Sequence, residues 1–350
     1  MGRQHLGFLC RLGLLFGSLS LGCAFGQVTW GGLQGVVSDL SGGVLPNAWV
    51  GIEGAGLPRV MSVLTDQYGR YVFPALPIGA LKITVTAPGF HTLRYHNLEV
   101  RLGVQTTFNA RMTLGSVTES VEVNDSLQAL DMSSSRTLTN ITASEFDNVA
   151  RGRNFHTLLM MAPGVRHEAK AGAGGVGGFQ VDGASGSENT YYIDGVEVSD
   201  VLSGALRQQY SVPFEFVQAV QVQSGGFEAE YGGATGGVVS VATRSGTNTI
   251  HGEVLLQGIS GGLNASDRGY WQRSATDPNR AEFMKPAKDD YRVLYPGISL
   301  GGPLWKNRIF GYSSYQPEFE RSLRTIGYVT GSRTFENTFT RHYLLNRIDA

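Results

Sequence analysis

Four groups of residues combine types and spacings that could do chemistry. His96 and Glu99 form an H-x-x-E pair, the kind of pair that zinc carboxypeptidases use to hold a catalytic metal. Gly172, Gly174 and Gly177 complete a G-x-G-x-x-G run, which in a dinucleotide-binding unit lets the backbone approach a pyrophosphate. Gly258, Ser260 and Gly262 complete G-x-S-x-G, the pattern that lifts a nucleophilic serine onto a sharp turn. Asp182 and Asp194 are a carboxylate pair of the kind that general acid–base chemistry uses.

None of the four has the surroundings its chemistry needs. Catalytic zinc takes a third protein ligand and an open position, and the next histidines, His156 and His167, come with no ligand motif. His96 and Glu99 also fall in a strand-like stretch, where residues three apart point to opposite faces. The glycine run lacks a buried strand before it and a helix after it. The G-x-S-x-G run leads into residues 261–267, a poor helix start, and only His342 follows. Asp182 and Asp194 each precede a glycine, where Asp shapes a turn. The seven histidines, at 5, 91, 96, 156, 167, 251 and 342, form no cluster by spacing. No catalytic residue, cofactor or metal site is expected, and the chain does not read as an enzyme.

The elements that would position any site are mostly β. Glycine accounts for 48 of 350 residues and charged residues for 16%, about double and well under the usual shares of roughly 7% and 25%. Lys and Arg total 28 against 29 Asp and Glu, so a nucleic-acid partner, which calls for a basic surplus, is not expected. Residues 1–26 read as a secretory signal peptide: Arg3 and Arg11, the apolar residues 12–21, and a small-x-small site at Ala24, Phe25 and Gly26 before Gln27. A lipoprotein signal ending at Cys23 is the alternative. Both cysteines, Cys10 and Cys23, lie in this segment. No later stretch reaches the ~20 apolar residues of a membrane helix, so a membrane would be crossed only by β-strands.

Residues 30–114 carry period-two patterning. Residues 81–87 alternate apolar and polar positions, and residues 47–52 and 60–64 are further strand candidates, separated by turns rich in Gly, Pro and Asp. The expectation is a β-sandwich of seven or so strands. Gly35, Val37 and Asp39, then Leu45-Pro46, Ala48, Val50 and Ile52, then Thr65-Asp66, Gly69, Tyr71 and Phe73, then Leu76-Pro77, Gly79, Ala87 and Gly89-Phe90 follow in order. The segment resembles the carboxypeptidase-regulatory-like domain, a transthyretin-like (Ig-like) sandwich. Leu81 stands where an aromatic is more usual and fills the same core position.

Residues 115–136 read as a linker, in which Glu119, Ser120, Val121, Glu122 and Val123 alternate before a polar tract. Residues 137–250 form a small α+β unit with glycine loops. Thr142 and Glu145 could open a short helix, residues 154–161 another, and strands are expected near 181, 191–193, 217–222 and 237–241. Gly152-Arg153-Asn154-Phe155, Ala162-Pro163-Gly164-Val165, Tyr192-Ile193-Asp194-Gly195-Val196, Ala229-Glu230-Tyr231-Gly232, Gly236-Gly237-Val238-Val239 and Thr243-Arg244-Ser245-Gly246-Thr247-Asn248 come in this order. Together they resemble the plug domain of TonB-dependent outer-membrane receptors, and the preceding sandwich points to the Oar-like group. Val149-Ala150-Arg151 departs from the relatives' Leu-Pro-Leu-Asn. The resemblance makes Glu119, Ser120, Val121, Glu122 and Val123 the best candidate for the TonB box. Such a box is an extended segment that pairs with a strand of the TonB-type energy transducer through main-chain hydrogen bonds.

Residues 251–350 read as the start of an antiparallel transmembrane β-barrel. Residues 253–258, 294–300, 309–315 and 333–349 are strand-like, residues 266–290 a charged loop, and residues 301–308 a tight turn. That is about four strands, too few to close a barrel of 22, so the chain reads as an N-terminal fragment or a truncated gene product with an open edge. The resemblance implies an outer-membrane receptor for TonB-energised uptake of an unidentified extracellular ligand, with the plug gating a barrel embedded in outer-membrane lipid. A cell-envelope structural or adhesion protein is the alternative.

Overall fold

The computed structural model describes residues 30–115, 120–123, 136–146, 155–168, 178–200, 206, 212–227, 231–265, 268–274, 277, 279–285, 288, 290–328 and 331–350. The expected signal peptide, residues 1–26, lies outside them. So do Glu119, the G-x-G-x-x-G run at 172–177, and the motif residues 152–154, 229 and 230.

The first unit is a two-sheet sandwich. Its strands are β1 (Gly31–Asp39), β2 (Trp49–Glu53), β3 (Met61–Leu64), β4 (Arg70–Leu76), β5 (Gly79–Thr86), β6 (Thr92–Val100), β7 (Gln105–Thr107), β8 (Ala110–Met112) and β9 (Ser120–Val123). One sheet runs β4-β1-β7, with β8 also on β1; the other runs β3-β2-β5-β6-β9. Alternate residues point inward, so Leu33, Val37, Val50, Ile52, Tyr71, Phe73, Ile83, Val85 and Tyr95 fill one core. The Tyr71 hydroxyl donates to the Phe108 carbonyl at 2.6 Å, which satisfies the polar tip of a buried ring, and burial pushes its phenol pKa up.

Strand β6 corrects one expectation. Ile83 faces Tyr95 and Leu81 faces Leu98, so two steps on β5 match three on β6, with a register shift between them. Asn97 absorbs the extra residue at φ 62°. This bulge resets the alternation. Tyr95, Leu98 and Val100 all point into the core. His96 and Glu99 therefore share the outer face, instead of lying on opposite faces as unbroken alternation requires.

The second unit is α+β. Its elements are β10 (Thr137–Thr142), α1 (Ala143–Phe146), a 3₁₀ segment (Phe155–Met161), β11 (Val165–His167), β12 (Phe179–Val181), β13 (Thr190–Ile193), β14 (Val196–Glu197), β15 (Val217–Gly225) and β16 (Val238–Thr243). The main sheet runs β10-β15-β16-β13-β14, and β11 pairs with β12. Ile141, Phe155, Leu158, Leu159, Val220, Val222, Val239 and Val241 form its core. Glu145 reaches back to start α1, accepting from the Thr142 backbone N–H at 2.7 Å.

The third unit is a single twisted wall. Strands β17 (His251–Ser260), β20 (Asp290–Trp305), β21 (Ile309–Tyr328) and β22 (Gly331–Asp349) pair antiparallel in that order. Residues 266–290 are not simply a loop: β18 (Tyr270–Arg273) and β19 (Ala281–Met284) pair as a hairpin, with Trp271 packed edge-on to Phe283. The tight turn is narrower than expected. Residues 301–305 continue β20, and the chain reverses at residues 306–308, where Asn307 takes φ 63°. The wall has two different faces. Val254, Ile298, Tyr315 and Leu344 lie side by side across all four strands, and all four are exposed. The opposite face is polar, with Glu318 accepting from Arg341 at 2.7 Å.

Candidate functional site

The plug unit meets the polar face of the wall, and residues 243–248 make the seam. Arg347 of β22 lies 3.3 Å from the Asp194 carboxylate and donates to the Thr243 carbonyl at 2.9 Å. The same carboxylate accepts from the Thr243 N–H at 2.8 Å and from its hydroxyl at 2.5 Å. Asp194 sits at the β13–β14 turn with φ 46°, a conformation that Asp tolerates better than most residues. One side chain thus closes the turn, ties it to β16 and pairs with the wall.

The neighbouring residues extend the seam. Arg244 pairs with Glu253 of β17 at 3.4 Å. A Cβ at Gly246 would overlap the Gly311 carbonyl of β21, so only glycine lets plug and wall approach this closely. Asn248 joins all three units: its backbone N–H donates to the Ala55 carbonyl at 3.2 Å, its side-chain Nδ2 to the Leu57 carbonyl at 3.0 Å, and its side-chain Oδ1 accepts from the Asn307 N–H at 2.9 Å. Gln218 of β15 donates to the Ile78 carbonyl at 3.1 Å and Gln221 to the Leu102 carbonyl. The sandwich is therefore docked on the plug sheet. A cavity of about 250 Å³ lies where the units meet, lined by residues that include Trp30, Ile78, Gln218, Phe310 and Arg347.

Of the TonB-box candidate, Ser120, Val121, Glu122 and Val123 form β9, paired in parallel with Thr92–Tyr95 of β6. It is the outermost strand of the five-stranded sheet.

Three of the four groups that could do chemistry lie among the described residues. Glu99 pairs with Arg101 at 2.9 Å. Ser260 ends a wall strand, and its hydroxyl accepts from Gly262 N–H at 3.2 Å to cap a 3₁₀ turn. Asp182 and Asp194 both adopt positive φ, as turn residues do. Among the described residues, no group of three or more His, Cys, Asp or Glu is placed to hold a metal ion. His156 lies against Phe179 with ring centroids 6.0 Å apart. Burial lowers its pKa to about 4, assisted by the nearby charge of His167.

Comparison with known proteins accounts for this arrangement. The carboxypeptidase regulatory-like domain family matches residues 32–113, and the TonB-dependent receptor plug domain family matches residues 130–238. Together these two domains support a TonB-dependent receptor. This is a family of receptors and transporters, not of enzymes. The chain is similar to the TonB-dependent transporter Oar of Myxococcus xanthus, at 26% identity over 332 residues, covering 92% of this chain and 29% of that protein. It thus spans less than a third of the length of that curated relative. Among solved structures, the siderophore receptor PirA of Pseudomonas aeruginosa overlaps 59% of this chain and 34% of its own at 20% identity and a TM-score of 0.34. A catechol 1,2-dioxygenase of Acinetobacter radioresistens overlaps 28% of this chain and 57% of its own at 18% identity and a TM-score of 0.21. The two domain families and the relative support this reading, and the partial overlaps with solved structures carry no part of it.

Sequence reasoning picked out Thr243-Arg244-Ser245-Gly246-Thr247-Asn248 as a motif without knowing what it touches. It missed Arg347 altogether. An arginine in an alternating polar strand gives no local signal that a plug carboxylate lies opposite.

Proposed function

We propose that this chain is the front of an energy-coupled outer-membrane receptor whose plug closes the lumen of a β-barrel begun by the wall strands. Residues 1–26 direct export. An extracellular ligand, not identified by these residues, binds on the outer side of plug and barrel. A TonB-type transducer then engages Glu119, Ser120, Val121, Glu122 and Val123 and pulls, and the plug rearranges to open a path to the periplasm.

The observation that carries this reading is the two-faced wall with the plug seam on its polar side. From Leu294 to Leu304 the positions of β20 on the apolar face are Leu, Pro, Ile, Leu, Gly and Leu. At ~3.4 Å per residue and a tilt of ~40°, that run rises about 25–30 Å, close to the ~25 Å apolar band of outer-membrane barrels. Arg292, on the same face one step beyond, marks the end of the band. Lipid therefore fits the outer face, and a plugged lumen fits the inner one.

The test uses the complete receptor. Removal of residues 137–250 is expected to turn a closed barrel into an open one, read as potassium conductance across a planar bilayer. A plug-deleted receptor that folds and conducts no more than the intact one would refute gating. Removal of residues 119–123 is expected to leave the closed barrel intact and to abolish transducer-dependent uptake. Retained cell-surface adhesion with no energised uptake in either form would instead favour a structural role in the envelope.

A further inference from the structure

The segment assigned above to the transducer strand is paired in this structure. Residues Thr92–Tyr95 of β6 are paired on one side with β5, through Val85, Thr84 and Ile83. On the other side they pair with Ser120–Val123, in the register Thr92 to Ser120, Leu93 to Val121, Arg94 to Glu122 and Tyr95 to Val123. The sheet order ends at β9, so among the described residues no strand pairs with the far side of β9. The strand lies after the sandwich match, which ends at 113, and before the plug match, which begins at 130. It belongs to neither domain by sequence, yet the sandwich organises it.

A β-strand has two hydrogen-bonding edges, and strand addition needs only one of them. Pairing with β6 uses one edge of β9 and holds the backbone extended. Ordering a free segment costs conformational entropy for each residue fixed, and a strand already held extended has met that cost before the partner arrives. Recognition by main-chain groups also explains why a short alternating segment with no distinctive side chains suffices.

We propose that the sandwich is the platform of the transducer site. It presents Ser120–Val123 as a preorganised edge strand, and one strand of the transducer's periplasmic domain adds to the open side. The result is a single sheet running from the sandwich into the transducer. The occupant is that strand and not a second copy of this chain, because the edge sits on the segment that leads directly into the plug, where a pull must act. The inference rests on the assignment of residues 119–123 as the transducer strand.

The test is a disulfide across the register pair, Leu93→Cys with Val121→Cys, in the complete receptor. The only cysteines of the sequence, Cys10 and Cys23, fall within residues 1–26, so in the processed receptor's 27–350 segment the new pair has no competing thiol. The probe is the purified periplasmic domain of the TonB-type transducer from the same cell. Its Kd is measured for one receptor preparation before and after reduction. The oxidised receptor is expected to bind at least as tightly as the reduced one. Tenfold or greater weakening on oxidation, restored by reductant, would overturn the proposal and make the pairing a shield that hides the strand. Failure of the pair to oxidise would overturn it too, because β9 would not be held on β6. Val121→Pro separates the underlying assignment: unchanged transducer binding in that variant would show that residues 119–123 are not the transducer strand at all.

Discussion

The seam ion pair gives the sharpest quantitative expectation. Asp194→Asn keeps an amide oxygen for the Thr243 N–H and tolerates φ 46°, so it isolates the carboxylate's charge. Arg347→Met keeps most of the aliphatic stem and removes the guanidinium. The two side chains are 31% and 20% exposed, so the pair sits between the surface and interior limits. A bare Coulomb attraction of about 4 kcal/mol at 4 Å and an effective dielectric of 20 sets the upper bound. Desolvation opposes it, and Asp349 competes for the same guanidinium at 2.9 Å. A charge-assisted hydrogen bond in such a setting is worth about 1.5–3 kcal/mol, and sharing it with Asp349 brings the expected coupling to about 1 kcal/mol. The assay is hydrogen exchange of the β13 and β16 amides in the complete receptor, for both single variants and the double. Each single variant should open these strands faster, by roughly tenfold for each 1.4 kcal/mol lost. The double should lose about 1 kcal/mol less than the sum of the singles. Additivity within about 0.3 kcal/mol would show that the two groups do not interact and would refute the seam as drawn. Asp194→Ala should cost more than Asn, because it also removes the bonds to Thr243 and strains the turn.

Three further outcomes are expected. His156 has a lowered pKa, so the unfolded plug binds more protons than the folded one between the usual histidine value of 6.5 and about 4; stability is full above pH 6.5 and falls as the pH drops through that window, by up to about 3 kcal/mol, and His156→Phe should flatten the pH dependence of the plug's calorimetric transition over the same range. Asn248→Ala removes the side-chain bonds to Leu57 and Asn307, which should cost about 1–2 kcal/mol and raise amide exchange at Gly54–Leu57 without altering the sandwich core. A disulfide across the register pair Thr139 and Val222, each changed to Cys, should block energised uptake until reduced; continued uptake in the oxidised form would show that β10 need not leave β15.

Much of this fold is legible because short strands alternate cleanly. Residues 81–87 and 217–222 read as strands from their pattern, and 81–86 fall in β5 and 217–222 in β15. The four wall strands were countable for the same reason. Two local features broke the pattern. The bulge at Asn97 adds one residue to β6 and turns His96 and Glu99 to one face, and a bulge leaves no mark in an alternating run until its partner strand is known. The β18–β19 hairpin hides in a charged segment because its strands have four residues each and little apolar contrast. The seam was legible only as a string of residues. Asp194 and Arg347 are 153 positions apart, and nothing local reveals a contact at that separation.

The order of strands in the plug sheet bears on how a pull would act. Residues 124–136 lead from β9 directly into β10, so tension applied at β9 enters the plug at Thr137. β10 is an edge strand, and among the described strands it pairs only with β15, with Ile141 buried beneath it. The anchors to the wall lie two and three strands further in, at Thr243 of β16 and at the Asp194 turn after β13. An edge strand can be drawn off with the loss of one ladder, whereas moving β16 or β13 also breaks the seam pair and the Gly246 contact. Tension therefore meets the weakest interface first. Drawing off β10 uncovers the Ile141 side of the plug core while β15, β16 and β13 stay seated against the wall. If the plug is pulled as proposed, this geometry lets it open by losing an edge, with the seam setting how much of it stays behind.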